Sequence, residues 1–157
     1  INEKTAAILL EPVQGEGGIH IADPQFLGDV RALCDEHKLL LLFDEIQCGL
    51  GRTGDWCGWK SIAGNRVMPD AVSWAKGIAN GFPLGAFWVR DHHSSSNTNL
   101  RELLGPGSHG TTYGGNPVAC ASALSVLNII KRDNLLKNTL EEGVFLREER
   151  RLLQGCF

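Results

Sequence analysis

The chain has 157 residues, with 15 lysines and arginines against 18 aspartates and glutamates, and a net charge of -3. At 43% hydrophobic and 21% charged it is neither disordered nor basic enough to be drawn to nucleic acid or anionic lipid, so a small-molecule ligand is the expected partner. The length suits one domain with a sizeable core, and the longest apolar runs, residues 6–10 and 39–43, fall far short of the ~20 residues that cross a bilayer.

Residues 5–10 are a short apolar run ended by Glu11-Pro12, which predicts a buried strand, since proline cannot donate to a central ladder. A glycine-rich loop, Gly15-Glu16-Gly17-Gly18, follows. Asp23-Pro24 predicts a helix start, with Asp as N-cap and Pro at the first helical position. Phe26, Leu27, Val30, Leu33 and Cys34 then recur at helical spacing toward an end near His37. Residues 39–43 are too short for a helix and too continuous for a half-exposed strand. They predict the next parallel strand of a βαβ-like unit, with Asp44 at its carboxyl end, where open α/β sheets place ligands.

After a loop over residues 45–54 and an aromatic, glycine-containing segment with Trp56 and Trp59, residues 71–74 predict a third strand, with Lys76 just beyond it. Residues 77–83 read as a loop. Residues 85–89 predict a fourth strand that returns too soon for a helical crossover and therefore runs antiparallel. Residues 92–99 are a polar surface loop by composition. A second glycine-rich loop, 105–115, leads into Asn116-Pro117, another cap with Pro at the first helical position, and a long helix carrying Val118, Ala121, Leu124, Val126, Leu127 and Ile130. The tail, 134–153, is also helical in pattern, with Leu136, Leu140 and Val144 on one stripe.

Five cysteines, Cys34, Cys48, Cys57, Cys120 and Cys156, are an odd count without a C-x-x-C pair, which predicts reduced thiols in a cytoplasmic protein and no zinc ribbon. The five histidines show no metal-ligand spacing, and none is assigned to a metal. The chain opens at Ile1 without a signal-peptide pattern and stops at Phe157 after a charge-rich helical stretch, so it is expected to be an internal segment of a longer protein.

Asp44 and Lys76 both stand where a strand ends, and adjacent strands bring such ends to one crevice. A lysine there forms a Schiff base when its amine is desolvated, and an aspartate facing a pyridinium nitrogen keeps that ring protonated as an electron sink. Taken alone, the two residues read more simply as a solvated lysine and a turn-forming aspartate, and spacing does not overturn that.

Four blocks stand in order along the chain: Glu11-Pro-Val-Gln-Gly-Glu-Gly-Gly18, Phe43-Asp-Glu-Ile-Gln-Cys-Gly-Leu-Gly-Arg-Thr-Gly54, Trp74-Ala-Lys-Gly77 with Gly81-Phe-Pro-Leu-Gly85, and Gly107-Ser-His-Gly-Thr-Thr-Tyr-Gly-Gly-Asn-Pro117. Together they resemble the class III aminotransferases, pyridoxal phosphate enzymes of fold type I. Gln47-Cys48-Gly49 and the run before Tyr113 resemble most the branch acting on acetylornithine, with ornithine, succinylornithine and 4-aminobutyrate aminotransferases as alternatives.

The resemblance implies an α/β fold: a mainly parallel sheet with helices on both faces and one antiparallel strand. Residues 1–132 would be part of the cofactor-binding large domain and 133–157 a helix leading toward a C-terminal small domain. It implies that Lys76 carries pyridoxal 5'-phosphate and moves the proton in transamination, that Asp44, Glu45, Ile46 and Gln47 bind the cofactor, and that Thr112 binds its phosphate from a neighbouring subunit of a homodimer. Glu16 and Thr111 would lie at the substrate, an amino donor followed by 2-oxoglutarate. In the family, a phosphate loop and a ring-stacking aromatic lie upstream and a carboxylate-binding arginine downstream of the segment matched here. The 157 residues alone are therefore expected to be inactive.

Two other classes compete. Gly49-Leu-Gly-Arg-Thr-Gly54 matches G-x-G-x-x-G and Asp70 follows at the distance of a ribose-binding acid, as in an NAD-binding domain, although the loop does not leave its strand directly. Ser108 and His109 suggest a hydrolase pair, but as sequence neighbours they are expected to face apart. A non-catalytic segment is the third reading, and cofactor binding separates it from the enzyme.

Overall fold

The structure is a computed structural model that describes residues 1–91 and 99–154. The expected polar loop at 92–99 lies, apart from Asn99, outside the described residues, as does Cys156. Four strands form the main sheet in the order β1 (Ala7–Leu10), β4 (Leu40–Asp44), β5 (Ala71–Trp74), β6 (Ala86–Val89). The first three run parallel and β6 pairs antiparallel with β5, as the short return predicts.

Strand alternation sorts the sheet into two faces. Leu41 and Phe43 of β4, aligned with Ile8 and Leu10 of β1, face a core shared with α1 (Pro24–His37) and α2 (Gly58–Ala63), through Leu27, Val30, Cys34, Trp59 and Ala63. Leu40, Leu42 and Asp44 form the other row. There Leu40, Leu42, Ala71, Phe87 and Val89 meet α3 (Leu100–Leu103) around a small apolar hollow. Helices therefore cover both faces.

Helix α1 begins as its sequence requires: the Asp23 carboxylate accepts from Gln25 N at 2.7 Å and Phe26 N at 3.2 Å, with Pro24 next. Lys38 ends it in the left-handed region, φ 57°. Arg31 of α1 is buried and reaches the first residue of the β5 approach, Asp70, whose side chain is fully buried. The guanidinium meets Asp70 Oδ2 at 2.7 Å, and the same oxygen accepts Leu41 N at 2.9 Å. Asp70 N in turn donates to Leu41 O at 2.7 Å, so one residue ties helix, β4 and β5 at their common entrance.

Three short elements escape the sequence patterns. A two-stranded hairpin, β2 (Val13–Gln14) with β3 (His20–Ile21), frames the first glycine-rich loop, and α2 and α3 are helices of six and four residues. Two residues show no alternation, and α2 is flanked by Gly58 and Gly64, which read as breakers. The long helices are where expected, α4 (Pro117–Arg132) capped by Asn116 through Ala119 N at 2.9 Å, and α5 (Leu135–Gln154). On α4 the buried face is not the expected one. Helix α4 buries Ala119, and packs Ala123 against Ile78 and Ala79, because small residues permit close approach, while Val118 and Leu124 stay exposed; on α5 the expected stripe leans on the second glycine block, Leu136 over Gly51 and Leu140 over Gly54.

Replacing Asp70 with Ala should therefore cost about 1–3 kcal/mol in urea unfolding, since it leaves Leu41 N without its acceptor and the buried Arg31 guanidinium with only Asp35 and Met68 O. Arg31→Met with Asp70→Leu should lose less than the single change, because the buried guanidinium then leaves together with its buried partner.

Candidate active site

Two loops leave the carboxyl ends of β4 and β5 side by side. The β4–β5 register sets Asp44 opposite Ser73, and the pairing runs one step further, with Glu45 N donating to Ser73 O at 3.0 Å. Beyond Trp74 the chain turns sharply. Ala75 is extended, φ -157°, and Lys76 lies in the left-handed region at φ 50° before a single 3₁₀ turn, Lys76–Ala79. A non-glycine residue held there costs about 1 kcal/mol and persists only where its surroundings impose it.

The β4 loop brings Gln47 to that lysine. The Asp44 Oδ1 accepts Ile46 N at 2.9 Å and Gly49 N donates to Glu45 O at 2.9 Å, closing the turn that carries Gln47. The Lys76 Nζ donates to Gln47 Oε1. A neutral amide oxygen here, in place of a carboxylate, holds the ammonium without a neutralising charge.

Lys76 and Gln47 line an open cleft of about 890 Å³, with Gly15 and Ile19 from the first glycine-rich loop, Ile46 and Cys48 through Thr53 from the second block, and Ile130, Leu135 and Thr139 from α4 and α5. That volume is in the range of small-molecule sites. Asp44 stands at the end of β4. It belongs to the Leu40–Leu42 row, its carboxylate caps Ile46, and it does not line this cleft. The structure thus brings Gln47 and Ile46 to Lys76's cleft, with Asp44 at the strand end beneath them in sequence.

Glu45 is used otherwise than expected. It is 1% exposed, and its two carboxylate oxygens accept Gly58 N at 2.7 Å and Trp59 N at 2.8 Å. Helix α2 has Cys57 at its N-cap with no side-chain bond, so Glu45, thirteen residues earlier, supplies the acceptors its first amides need. An uncapped helix start following a strand-end acid is the sequence signal for this clamp. Burial pushes the Glu45 carboxyl above its ordinary value even against those two amides, and burial with the nearby Glu45 charge pushes the Cys48 thiol up to about 12 and Cys57 up to about 11.

Glu16, Thr111 and Thr112 are exposed on their glycine-rich loops and do not line the Lys76 cleft. The expectation that Ser108 and His109 face apart is overturned: the turn closed by Ser108 N on Gly105 O folds the hydroxyl to 2.9 Å from His109 Nδ1. The same hydroxyl donates to Gly105 O at 2.8 Å, so the pair is a surface turn. Asp70, the other half of the dinucleotide reading, is sealed inside on Arg31, which removes it from any ribose.

A family model for Aminotransferase class-III matches residues 1–155. The chain belongs to the class III aminotransferases. Among its relatives within the class are an acetylornithine aminotransferase of Myxococcus xanthus, 46% identical over 99% of this chain and 36% of the relative, and a succinylornithine transaminase of Yersinia pseudotuberculosis, 46% identical over 87% and 30%. Among solved structures, the ornithine aminotransferase of Toxoplasma gondii superposes with a TM-score of 0.80 at 35% identity, over 92% of this chain and 32% of that one. The acetylornithine aminotransferase of Elizabethkingia anophelis gives 0.80 at 32% identity, over 95% and 35%. This class III segment spans about a third of the curated relatives it matches.

The raised Glu45 carboxyl has a defined pH signature. Neutral Glu45 stabilises the fold fully below the ordinary value of 4.5, and that contribution is lost as pH rises through the higher folded value. Glu45→Gln should flatten this decline in urea midpoints measured from pH 4 upward. It should also lower stability at acid pH by about 1–3 kcal/mol, because one carbonyl oxygen replaces two acceptors.

Proposed function

We propose that this chain is the cofactor-binding part of a pyridoxal 5'-phosphate transaminase that moves the terminal amino group of N-acetylornithine to 2-oxoglutarate, within a cytoplasmic homodimer. The single observation that supports it most is Lys76, backbone-strained at the end of a parallel strand, in a cleft of small-molecule size with Gln47 as its partner. Membership of the class fits that placement, because the residues present suit the group: an exposed primary amine for its aldehyde, a neutral amide beside it and an apolar wall from Ile46.

In this reading Lys76 attaches the cofactor, Gln47 donates to or accepts from the ring hydroxyl, Ile46 packs against the ring and Asp44, at the end of β4, serves its pyridine nitrogen. When bound, pyridoxal phosphate supplies an electron sink for the pair left at the amino-bearing carbon when its proton departs. The Lys76 Nζ would take that proton and return it two atoms further along, on the far side of the amino nitrogen, a 1,3 shift. Glu45 acts as the clamp on α2 and keeps the turn holding Gln47 in place.

Thr112, exposed on a glycine-rich loop, is assigned to the phosphate of a neighbouring subunit, since a threonine hydroxyl beside the amides of such a loop suits a phosphate. Glu16 and Thr111, exposed likewise, are assigned to the substrate. Residues 1–132 form part of the large domain and 133–157 lead toward a small domain.

Borohydride reduction of the intact protein with pyridoxal phosphate, followed by peptide mapping, should leave the label on Lys76; a label on Lys60 or Lys131 overturns the assignment. The substrate is tested by kcat/KM for acetylornithine, ornithine, succinylornithine and 4-aminobutyrate. Acetylornithine should lead, and a preference for free ornithine would replace the substrate while keeping the reaction.

A further inference from the structure

Gly15 is the first residue of the glycine-rich loop whose second residue, Glu16, was assigned to substrate, and the reaction as described gives it no part. Its φ is not in the left-handed region, so its backbone would accept any residue. What excludes a side chain is Gln47. A Cβ at Gly15 would stand 2.3 Å from Gln47 Cγ, 2.9 Å from Cδ and 3.0 Å from Nε2.

Gly15 cannot move aside. Its N–H donates to Glu11 Oε2 at 3.1 Å, and its carbonyl accepts Gly18 N at 3.1 Å and Ile19 N at 3.3 Å, so the β2–β3 hairpin holds it from both ends. It is buried. Gln47 is the movable partner, a flexible side chain whose far end accepts from the Lys76 Nζ. Any side chain at position 15 therefore displaces the amide from the lysine.

We infer that Gly15 is a positioning residue for Lys76: by lacking a Cβ, it selects the Gln47 conformation that holds the Lys76 amine in the cleft. The inference rests on the proposed cofactor role of Lys76 for its consequence in the reaction, and on the Gly15–Gln47–Lys76 contacts for its geometry. Glu11 belongs to the same chain of contacts, since its carboxylate holds the Gly15 amide.

The test is a double-mutant cycle in the intact protein between Gly15→Ala and Gln47→Ala, with Gly17→Ala as the control. Gly17 stands in the same loop, but a Cβ there meets only Gln14 at an ordinary 3.4 Å. Two readouts are taken: the dissociation constant of pyridoxal phosphate, and the rate at which acetic anhydride labels Lys76 without cofactor, read by peptide mapping. Gly15→Ala and Gln47→Ala should each shift both readouts by a similar factor, on the order of tenfold, because each removes the same contact. The double variant should equal either single, and Gly17→Ala should match the parent.

If Gly15→Ala unfolds the protein, Gly15→Ala with Gln47→Ala removes the atoms it strikes and should fold again. Effects that multiply in the double variant, or a Gly15→Ala protein with unchanged Lys76 labelling, overturn the inference. Loss of all pyridoxal phosphate binding by the parent refutes the proposed function alone, since the labelling cycle then still decides the role of Gly15.

Discussion

The in-register parallel pairing of β4 with β5 is the constraint on which the rest of the site depends. Asp44 opposite Ser73 means that both strands finish at one level, and Glu45 N on Ser73 O extends the ladder one residue into the loops. The turn that carries Gln47 and the turn that carries Lys76 then start as neighbours. Slippage by one residue would reverse the faces of a strand and separate them. Asp70 guards against that slip at the other end: it bonds Leu41 N and O and anchors on Arg31, so the register is set by a buried polar cluster as well as by apolar alternation.

Glu45 performs the corresponding task at the ligand end. A buried carboxylate is costly to hold, and its raised proton affinity expresses that cost. Two short amide bonds to α2 offset part of it, and together with the Gly49 N bond to the Glu45 carbonyl they leave the 44–49 turn with little freedom. The protein thus places a poorly solvated acid beside a site whose lysine and glutamine need fixed directions. Stability and geometry at this corner come from the same contacts.

Much of the fold was legible because the signals were local. Asp23-Pro24 and Asn116-Pro117 announce helices through side-chain bonds to amides two or three residues on, and residues 71–74 announce a strand by their own composition. Helix α2 was hidden because its cap is Glu45, remote in sequence, and its flanking glycines imitate a loop. The packing face of α4 was misjudged because periodicity weighs Val118 and Leu124 above Ala119 and Ala123, whereas the close approach of α4 to Ile78–Ala79 selects alanine. At the site, Lys76 and Gln47 stood out by strand-end position and family pattern and do meet. Gly15's contact with Gln47 depends on tertiary placement that no spacing encodes.

The second glycine block shows why a motif needs its neighbours before it has a meaning. Gly49-Leu-Gly-Arg-Thr-Gly54 has the spelling of a dinucleotide loop, yet it packs under α5: Leu136 approaches Gly51, and a Cβ at Gly54 would lie 2.3 Å from Leu140 Cδ2. The missing Cβ lets a helix, in place of a pyrophosphate, sit on the loop. That contact carries Leu135 and Thr139 to the cleft wall beside Arg52 and Thr53, so a tail legible only as a charged amphipathic helix becomes part of the site. Gly15 and Gly54 thus act alike, each giving up a side chain so that another residue, Gln47 in one case and Leu140 in the other, can occupy its place.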